Sequence, residues 1–250
     1  MIRQRFFPNA SLKRRTALLA VVLVLGCTIN KHDDSASEIF LNTDSTGTAT
    51  IITVSRGPAW THQISPGTFR INIYPQLAFW MESDDPERFQ TLYVSGATGD
   101  FGNHATKQDL QAEYFAISLP AWSSKVLANG QALPSTETPY TDGITSATPK
   151  SSFTLYLHIS DLPDTCRLYA EIGKSMDHNT QFSETETDWV GQPAVIYAVD
   201  LYKPLTTGPY ALEPLGYTER NGSGETQRVS DLKGLDTGLN LIDAITVDFE

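Results

Sequence analysis

The chain of 250 residues carries 18 basic and 29 acidic side chains, which gives it a formal net charge of −11 at pH 7. An acidic protein repels the phosphate backbone, so this composition excludes nucleic acid as a partner. The length suffices for one large all-β domain or two small ones, and the two cysteines are Cys27 and Cys166.

The first 26 residues have the pattern of a secretory signal peptide. Five basic residues and no acidic one lie in this segment, the apolar run 17–25 follows them, and a small residue, Gly26, ends it. The apolar run is too short to span a bilayer as a stable helix. Without this segment the chain keeps 13 basic and 29 acidic residues, so the remainder is more acidic than the whole.

Cys27 follows Gly26 directly, and this ending resembles the lipobox of bacterial lipoproteins, whose cysteine is diacylated and becomes the mature N-terminus. Val24 stands where leucine is usual in that pattern. An uncleaved anchor and an ordinary signal peptide with a chance cysteine are the alternatives. The resemblance implies lipidation of Cys27 and membrane attachment through more than one acyl chain. Thr28, rather than Asp, follows the cysteine, and by the same resemblance this favours the periplasmic face of the outer membrane in a Gram-negative host.

Residues 27–38 are polar and predict a flexible, lipidated tether, and residues 39–250 are expected to form the folded domain. Short alternating or β-branched stretches bounded by Gly, Pro and Asp turns predict an antiparallel β-sandwich with long loops at 98–111 and 126–149. Weak helical patterns occur only at 107–114 and near Asp231. The predicted strands cover residues 48–55, 70–74, 77–81, 89–95, 152–159, 166–172, 194–200 and 241–249.

Two of these strands show which side chains face the core. In the strand 152–159, Phe153 and every second residue to Ile159 are expected to point inward, while Thr154, Tyr156 and His158 point outward. In the strand 166–172, Cys166 shares one face with Leu168, Ala170 and Ile172, so we predict a buried core thiol rather than a nucleophile.

Most catalytic signatures are absent from the sequence, including the nucleophile elbow, the Walker loop and paired cysteines. We therefore predict no catalytic residues. Asp177, Asn179 and Asp188 could offer oxygen ligands to a hard cation, but a solvated acidic loop is the favoured interpretation, and no metal site is predicted. Four tryptophans lie near turns or strand ends, where they either form stacking platforms for a sugar or peptide or plug the sandwich: Trp60, Trp80, Trp122 and Trp189.

Residues 142–148, Asp-Gly-Ile-Thr-Ser-Ala-Thr, resemble the sequence at which bacterial flavin transferases esterify FMN to the last threonine. Asp142, Thr145 and Ser146 would then form the recognition motif, and Thr148, held extended before a proline, would accept the FMN. The alternative is structural: an Asx turn at Asp142, with the hydroxyl groups satisfying the loop.

Five segments occur in a fixed order along the chain: residues 71–85, 90–94, 118–122, 142–152 and 190–197. Together they resemble a bacterial family of uncharacterised extracytoplasmic proteins, often lipoproteins, over roughly residues 47–249. The resemblance implies an immunoglobulin-like sandwich akin to that of flagellar hook-capping proteins. It also implies an association with flavin transferases and membrane redox systems.

Three functions fit these patterns. The first is a non-catalytic, lipid-anchored binding or scaffold module of the cell envelope, which the lack of catalytic motifs favours. The second is an extracytoplasmic redox carrier with FMN attached at Thr148, served by a flavin transferase or a membrane redox protein. The third is an enzyme acting on sugars or peptides through carboxylates such as Asp177 together with tryptophan platforms.

Overall fold

The computed structural model describes residues 36–41, 46–65, 67–85, 88–95, 118–133, 144–145, 149–187, 190–206, 208–220 and 226–250. These residues form mostly β-strands with few helices, which confirms the all-β prediction. The signal peptide, Cys27 and most of the predicted tether lie outside the described residues.

The elements of the described chain, in order, are fourteen strands, two helices and one 3₁₀ turn. They are β1 (Ser37–Phe40), β2 (Thr48–Arg56), β3 (His62–Ile64), β4 (Ile71–Ile73), β5 (Gln76–Ser83), β6 (Phe89–Ser95), α1 (Pro120–Ala128), β7 (Ile144–Thr145), β8 (Phe153–Ile159), β9 (Thr165–Gly173), α2 (Glu184–Thr187), β10 (Val195–Tyr202), β11 (Tyr210–Ala211), β12 (Glu213–Arg220), β13 (Thr226–Val229), the 3₁₀ turn Leu239–Leu241 and β14 (Ile242–Phe249).

One sheet has five strands in the order β1-β8-β2-β14-β11. The pairs are antiparallel except that β1 runs parallel to β8, where Ser37 pairs with Phe153 and Phe40 with Tyr156. The strand β1 thus begins inside the segment 27–38 that composition assigns to the tether, because its backbone completes the edge of this sheet.

The second sheet has seven strands in the order β13-β12-β10-β9-β5-β6-β7. It is antiparallel apart from the pair β6 and β7, and β5 and β6 form a hairpin. The strands β3 and β4 make a separate two-stranded ribbon.

The two sheets enclose a common apolar core, so the architecture is sandwich-like. Phe153 and the inward residues of β8 are buried as predicted, and they share the core with the buried face of β9. Cys166 is a free, buried thiol in this core, as predicted, and burial raises its pKa to about 11. The protonated thiol is consistent with a packing role.

A second apolar cluster covers the outer face of the seven-stranded sheet. The helix α1 packs there, so β5 is buried on both faces over its first six residues instead of alternating. The prediction of a loop over residues 126–149 is wrong at its start, because Val126 belongs to this helix. The cluster contains Ala78, Trp80, Val94, Leu119, Trp122 and Val126.

The sequence patterns missed α1 for a physical reason. Nine residues are too few to form a stable helix alone, so the helix depends on its tertiary contacts. Pro120 starts it at a position where its missing N–H costs no hydrogen bond. Near Asp231, where a weak helical pattern is predicted, the structure has a turn and no helix, and the N–H of Lys233 donates to Asp231 Oδ1 at 3.0 Å. The helical pattern at 107–114 and the loop 98–111 lie outside the described residues.

Candidate functional site

The predicted flavin motif meets the described structure at the strand β7. Ile144 and Thr145 extend along the edge of the seven-stranded sheet, where Thr145 pairs with Ser95. On the next strand, Ser95 is buried, and its hydroxyl accepts a hydrogen bond from the N–H of Leu77 at 2.8 Å. Asp142, Ser146 and Thr148 lie outside the described residues.

The tryptophans, interpreted from the sequence as either stacking platforms or plugs of the sandwich, are buried wherever the structure describes them. Trp60 packs against Phe153 in the core between the sheets, with ring centroids 6.3 Å apart. Trp80 on β5 and Trp122 on α1 are buried in the apolar cluster between that helix and the seven-stranded sheet. The platform interpretation is therefore wrong for these three side chains, because burial of their large apolar area holds the layers together. Trp189 lies outside the described residues.

Glu171 is the most deeply buried acid of the described chain, and it caps a helix. Its carboxylate, in the middle of β9, accepts hydrogen bonds from the N–H of Ala121 at 2.9 Å and of Trp122 at 2.8 Å. Burial raises the pKa of Glu171 to about 8, although these two backbone bonds act in the opposite direction. The N-cap residue Leu119 makes no capping hydrogen bond with its side chain. Glu171, a strand residue, therefore accepts the hydrogen bonds of the free N–H groups in the first turn of α1.

Lys174 and Asp177 form a second buried charged group. The Lys174 amine donates to the Ala59 carbonyl at 2.5 Å and lies 3.8 Å from Asp177 Oδ1, which also accepts from the Thr237 hydroxyl at 2.7 Å. The Lys174 side chain is 1% exposed. Desolvation lowers the pKa of both Lys174 and the neighbouring His62. These charges bind one another and the backbone.

This arrangement corrects the interpretation of residues 177–179 as a solvated acidic loop. Asp177 is buried and paired with a lysine, so it does not face solvent. Asn179 accepts from the N–H groups of Gln181 and Phe182, and its amide donates to the Gly234 carbonyl at 2.8 Å. Both side chains hold loops together. Within the described ranges, no three His, Cys, Asp or Glu side chains converge as metal ligands, and Asp188 lies outside those ranges.

A cleft of about 610 Å³ opens beside α1 on the outer side of the seven-stranded sheet. The hydroxyl of the buried Thr218 at its wall has no hydrogen-bond partner. The mostly apolar lining comprises Pro120, Gln181, Phe182, Glu186, Thr187, Val190, Gly191, Pro193, Ala194 and Thr218.

The outer face of the five-stranded sheet, here called the open face, has no described helix on it, since α1 packs on the other sheet and α2 lines the cleft. Cross-strand partners form two rows of side chains on this face. One row contains Phe40, Tyr156, Ile51 and Asp248, and the other contains Glu38, Thr154, Thr53 and Thr246.

An exposed phenylalanine stacked on a half-buried tyrosine marks one edge of the open face. Phe40 is 70% exposed and stacks on Tyr156, with ring centroids 4.8 Å apart and planes 10° from parallel. The Tyr156 hydroxyl donates to Glu38 Oε1 at 3.2 Å. Alternation in β8 predicts that Tyr156 points outward, whereas Phe40 was missed because no strand is predicted at residues 37–40.

Comparison of the chain with protein-family models, with curated proteins and with solved structures finds no match. None of the helices in the described ranges has the length and apolar character needed to cross a membrane.

Proposed function

We propose that the chain is a lipid-anchored module of the cell envelope that binds a partner without catalysing a reaction. The observation that carries the proposal is the open face, a sheet surface on which no described helix packs and on which the exposed Phe40 stacks on Tyr156. The buried charges support it as well. Glu171 caps a helix, and Lys174 pairs with Asp177, so these groups serve the fold.

The location belongs to the same proposal. The basic segment, the short apolar run and Gly26-Cys27 support export and lipidation at Cys27, at the periplasmic face of the outer membrane in a Gram-negative host. We infer an immunoglobulin-like arrangement for the sandwich. Support comes from the family resemblance and from the long-range pairing of the early strand β2 with the late strands β8 and β14.

Lipidation is tested by replacing Cys27 with serine in the full-length chain. We expect the unmodified chain to incorporate labelled palmitate and to sediment with membranes, and Cys27→Ser to lose both properties. Cys166→Ser is the matched control, because its thiol is buried in the core and no acyl chain is expected there. Absence of label from the unmodified chain, or equal labelling of Cys27→Ser, contradicts the proposal.

A separate assay tests the lack of catalysis. The purified full-length chain is incubated with peptidoglycan, chitin and casein, and released reducing sugars and new amino termini are measured. We expect no release above a buffer control. Turnover that depends on protein concentration would overturn the non-catalytic part of the proposal and favour the enzyme hypothesis.

A second candidate function is an FMN carrier modified at Thr148. The observation that favours it is the position of Thr145 within the motif, on an extended two-residue strand at the edge of a sheet. An edge strand has one unpaired side, which an approaching flavin transferase could reach. Electrons would then pass between the esterified FMN and a membrane redox protein.

The carrier hypothesis makes a mass-spectrometric prediction. We expect the full-length chain, produced with a flavin transferase and FAD, to gain the mass of one FMN ester and a yellow colour that survives denaturation. Thr148→Ala should abolish both changes, and Thr145→Ala tests another hydroxyl of the same motif. An unmodified mass, with a known acceptor modified in parallel, would leave residues 142–148 as a structural turn.

A further inference from the structure

We propose that the open face binds a neutral polysaccharide, with Phe40 as the stacking platform. This inference rests on the proposed function and names the partner of the same surface. Trp60, Trp80 and Trp122 are buried, whereas the Phe40 ring is exposed and is held by its stack on the half-buried Tyr156.

The aromatic pair has the geometry that sugar stacking requires. Tyr156 lies against one face of the Phe40 ring, and the hydrogen bond from the Tyr156 hydroxyl to Glu38 restrains the tyrosine ring. The rest of the Phe40 ring faces solvent. Because the C–H face of a pyranose is apolar, it can pack on such a ring and remove apolar area from water.

The neighbouring row supplies hydrogen-bonding groups suited to hydroxyl-rich ligands. Thr154, Thr53 and Thr246 are direct cross-strand partners on three adjacent strands, with Glu38 beside Thr154. Each threonine hydroxyl can donate and accept, as sugar hydroxyls also can. Adjacent strands lie about 4.8 Å apart, so the four residues of the row offer repeated polar contacts along a line about 14 Å long.

The charge of the open face favours a neutral polysaccharide over an anionic lipid surface or a second copy of the chain. The two rows contain Glu38 and Asp248 but no lysine or arginine. An anionic lipid surface would therefore be repelled, and so would the same acidic face of a second copy. A neutral polysaccharide carries no such penalty, and its hydroxyl groups can donate to the carboxylates.

The position of the tether fits an immobile partner close to a membrane. With Cys27 anchored as proposed, residues 28–36 separate the lipid from β1, the edge strand that carries Phe40. Nine residues of fully extended chain span at most about 30 Å, which sets the reach of the proposed anchor.

The test is co-sedimentation of the full-length chain, purified from membranes in detergent, with three insoluble neutral glycans: chitin, cellulose and a β-1,3-glucan. We expect retention on at least one of these glycans, and a five- to tenfold weaker apparent affinity for Phe40→Ala. The matched control is Phe69→Ala, which removes a phenylalanine of similar exposure, 73%, from the turn between β3 and β4. Its affinity should equal that of the unmodified chain.

Three results would overturn the inference: no retention on any of the three glycans, equal losses in both variants, or unchanged retention in Phe40→Ala. Two further results would overturn the inference if Phe40→Ala abolished them. One is that the non-lipidated Cys27→Ser chain sediments with phosphatidylethanolamine–phosphatidylglycerol vesicles. The other is that the chain forms a dimer, as measured by light scattering. A chain that takes up palmitate but is not retained on glycans contradicts only the polysaccharide inference. A chain without palmitate contradicts the proposed function, whatever its retention.

Discussion

The variant Trp122→Ala is expected to lose about 3–5 kcal/mol of the free energy of unfolding. The Trp122 side chain is fully buried between α1 and the seven-stranded sheet, and its indole N–H donates to the Thr91 hydroxyl at 3.0 Å. Truncation leaves a cavity and an unpaired hydroxyl acceptor. Urea unfolding of the full-length chain, followed by circular dichroism, measures the loss.

A matched control lies on the same helix. Leu127 is 56% exposed, so Leu127→Ala should change the free energy of unfolding by less than about 0.5 kcal/mol. The change in the free energy of unfolding for Trp122→Phe should lie between those of the two alanine variants, because phenylalanine keeps much of the apolar area but loses the hydrogen bond to Thr91. Equal effects of Trp122→Ala and Leu127→Ala would contradict the packing of α1 on the sheet.

Sequence periodicity predicts a strand well when only one of its faces is buried. The alternation of β8 gives its inward and outward residues correctly, and the same holds for Cys166 and its neighbours in β9. In β5 the helix α1 buries the second face. That helix is nine residues long and held by distant contacts, so no local pattern reveals it. The strand β12 was missed for a local reason, since Pro214 and Gly216 interrupt its pattern.

The candidate surface could be predicted only in part, for a similar reason. The pattern in β8 places Tyr156 outward, but the stack with Phe40 depends on the parallel pairing of β1 with β8. The bonded pair Glu38 and Tyr156 is 118 residues apart in sequence. Local periodicity carries no information on such pairing. Asp177 was misjudged because its partners Lys174 and Thr237 converge only in the fold.

The role of Glu171 gives the second large prediction, which concerns pH. The pKa of Glu171 is about 8 in the folded chain, above the ordinary value of 4.5 expected after unfolding. The folded state therefore binds the proton more tightly, and this contribution to stability is complete below about pH 4.5 and falls as the pH rises towards 8. One proton released on unfolding corresponds to about 1.4 kcal/mol per pH unit over this window.

Glu171→Gln removes that titration but keeps the size of the side chain. We expect the free energy of unfolding of the unmodified chain, relative to Glu171→Gln, to fall by about 1.4 kcal/mol per pH unit between pH 5 and 7.5. Urea titrations at several pH values measure this difference. The matched control is Glu213→Gln, which makes the same chemical change at an exposed acid on β12. A pH-independent difference for Glu171→Gln would mean that the folded chain holds Glu171 ionised, because the N–H groups of Ala121 and Trp122 at the start of α1 would then outweigh the cost of burial.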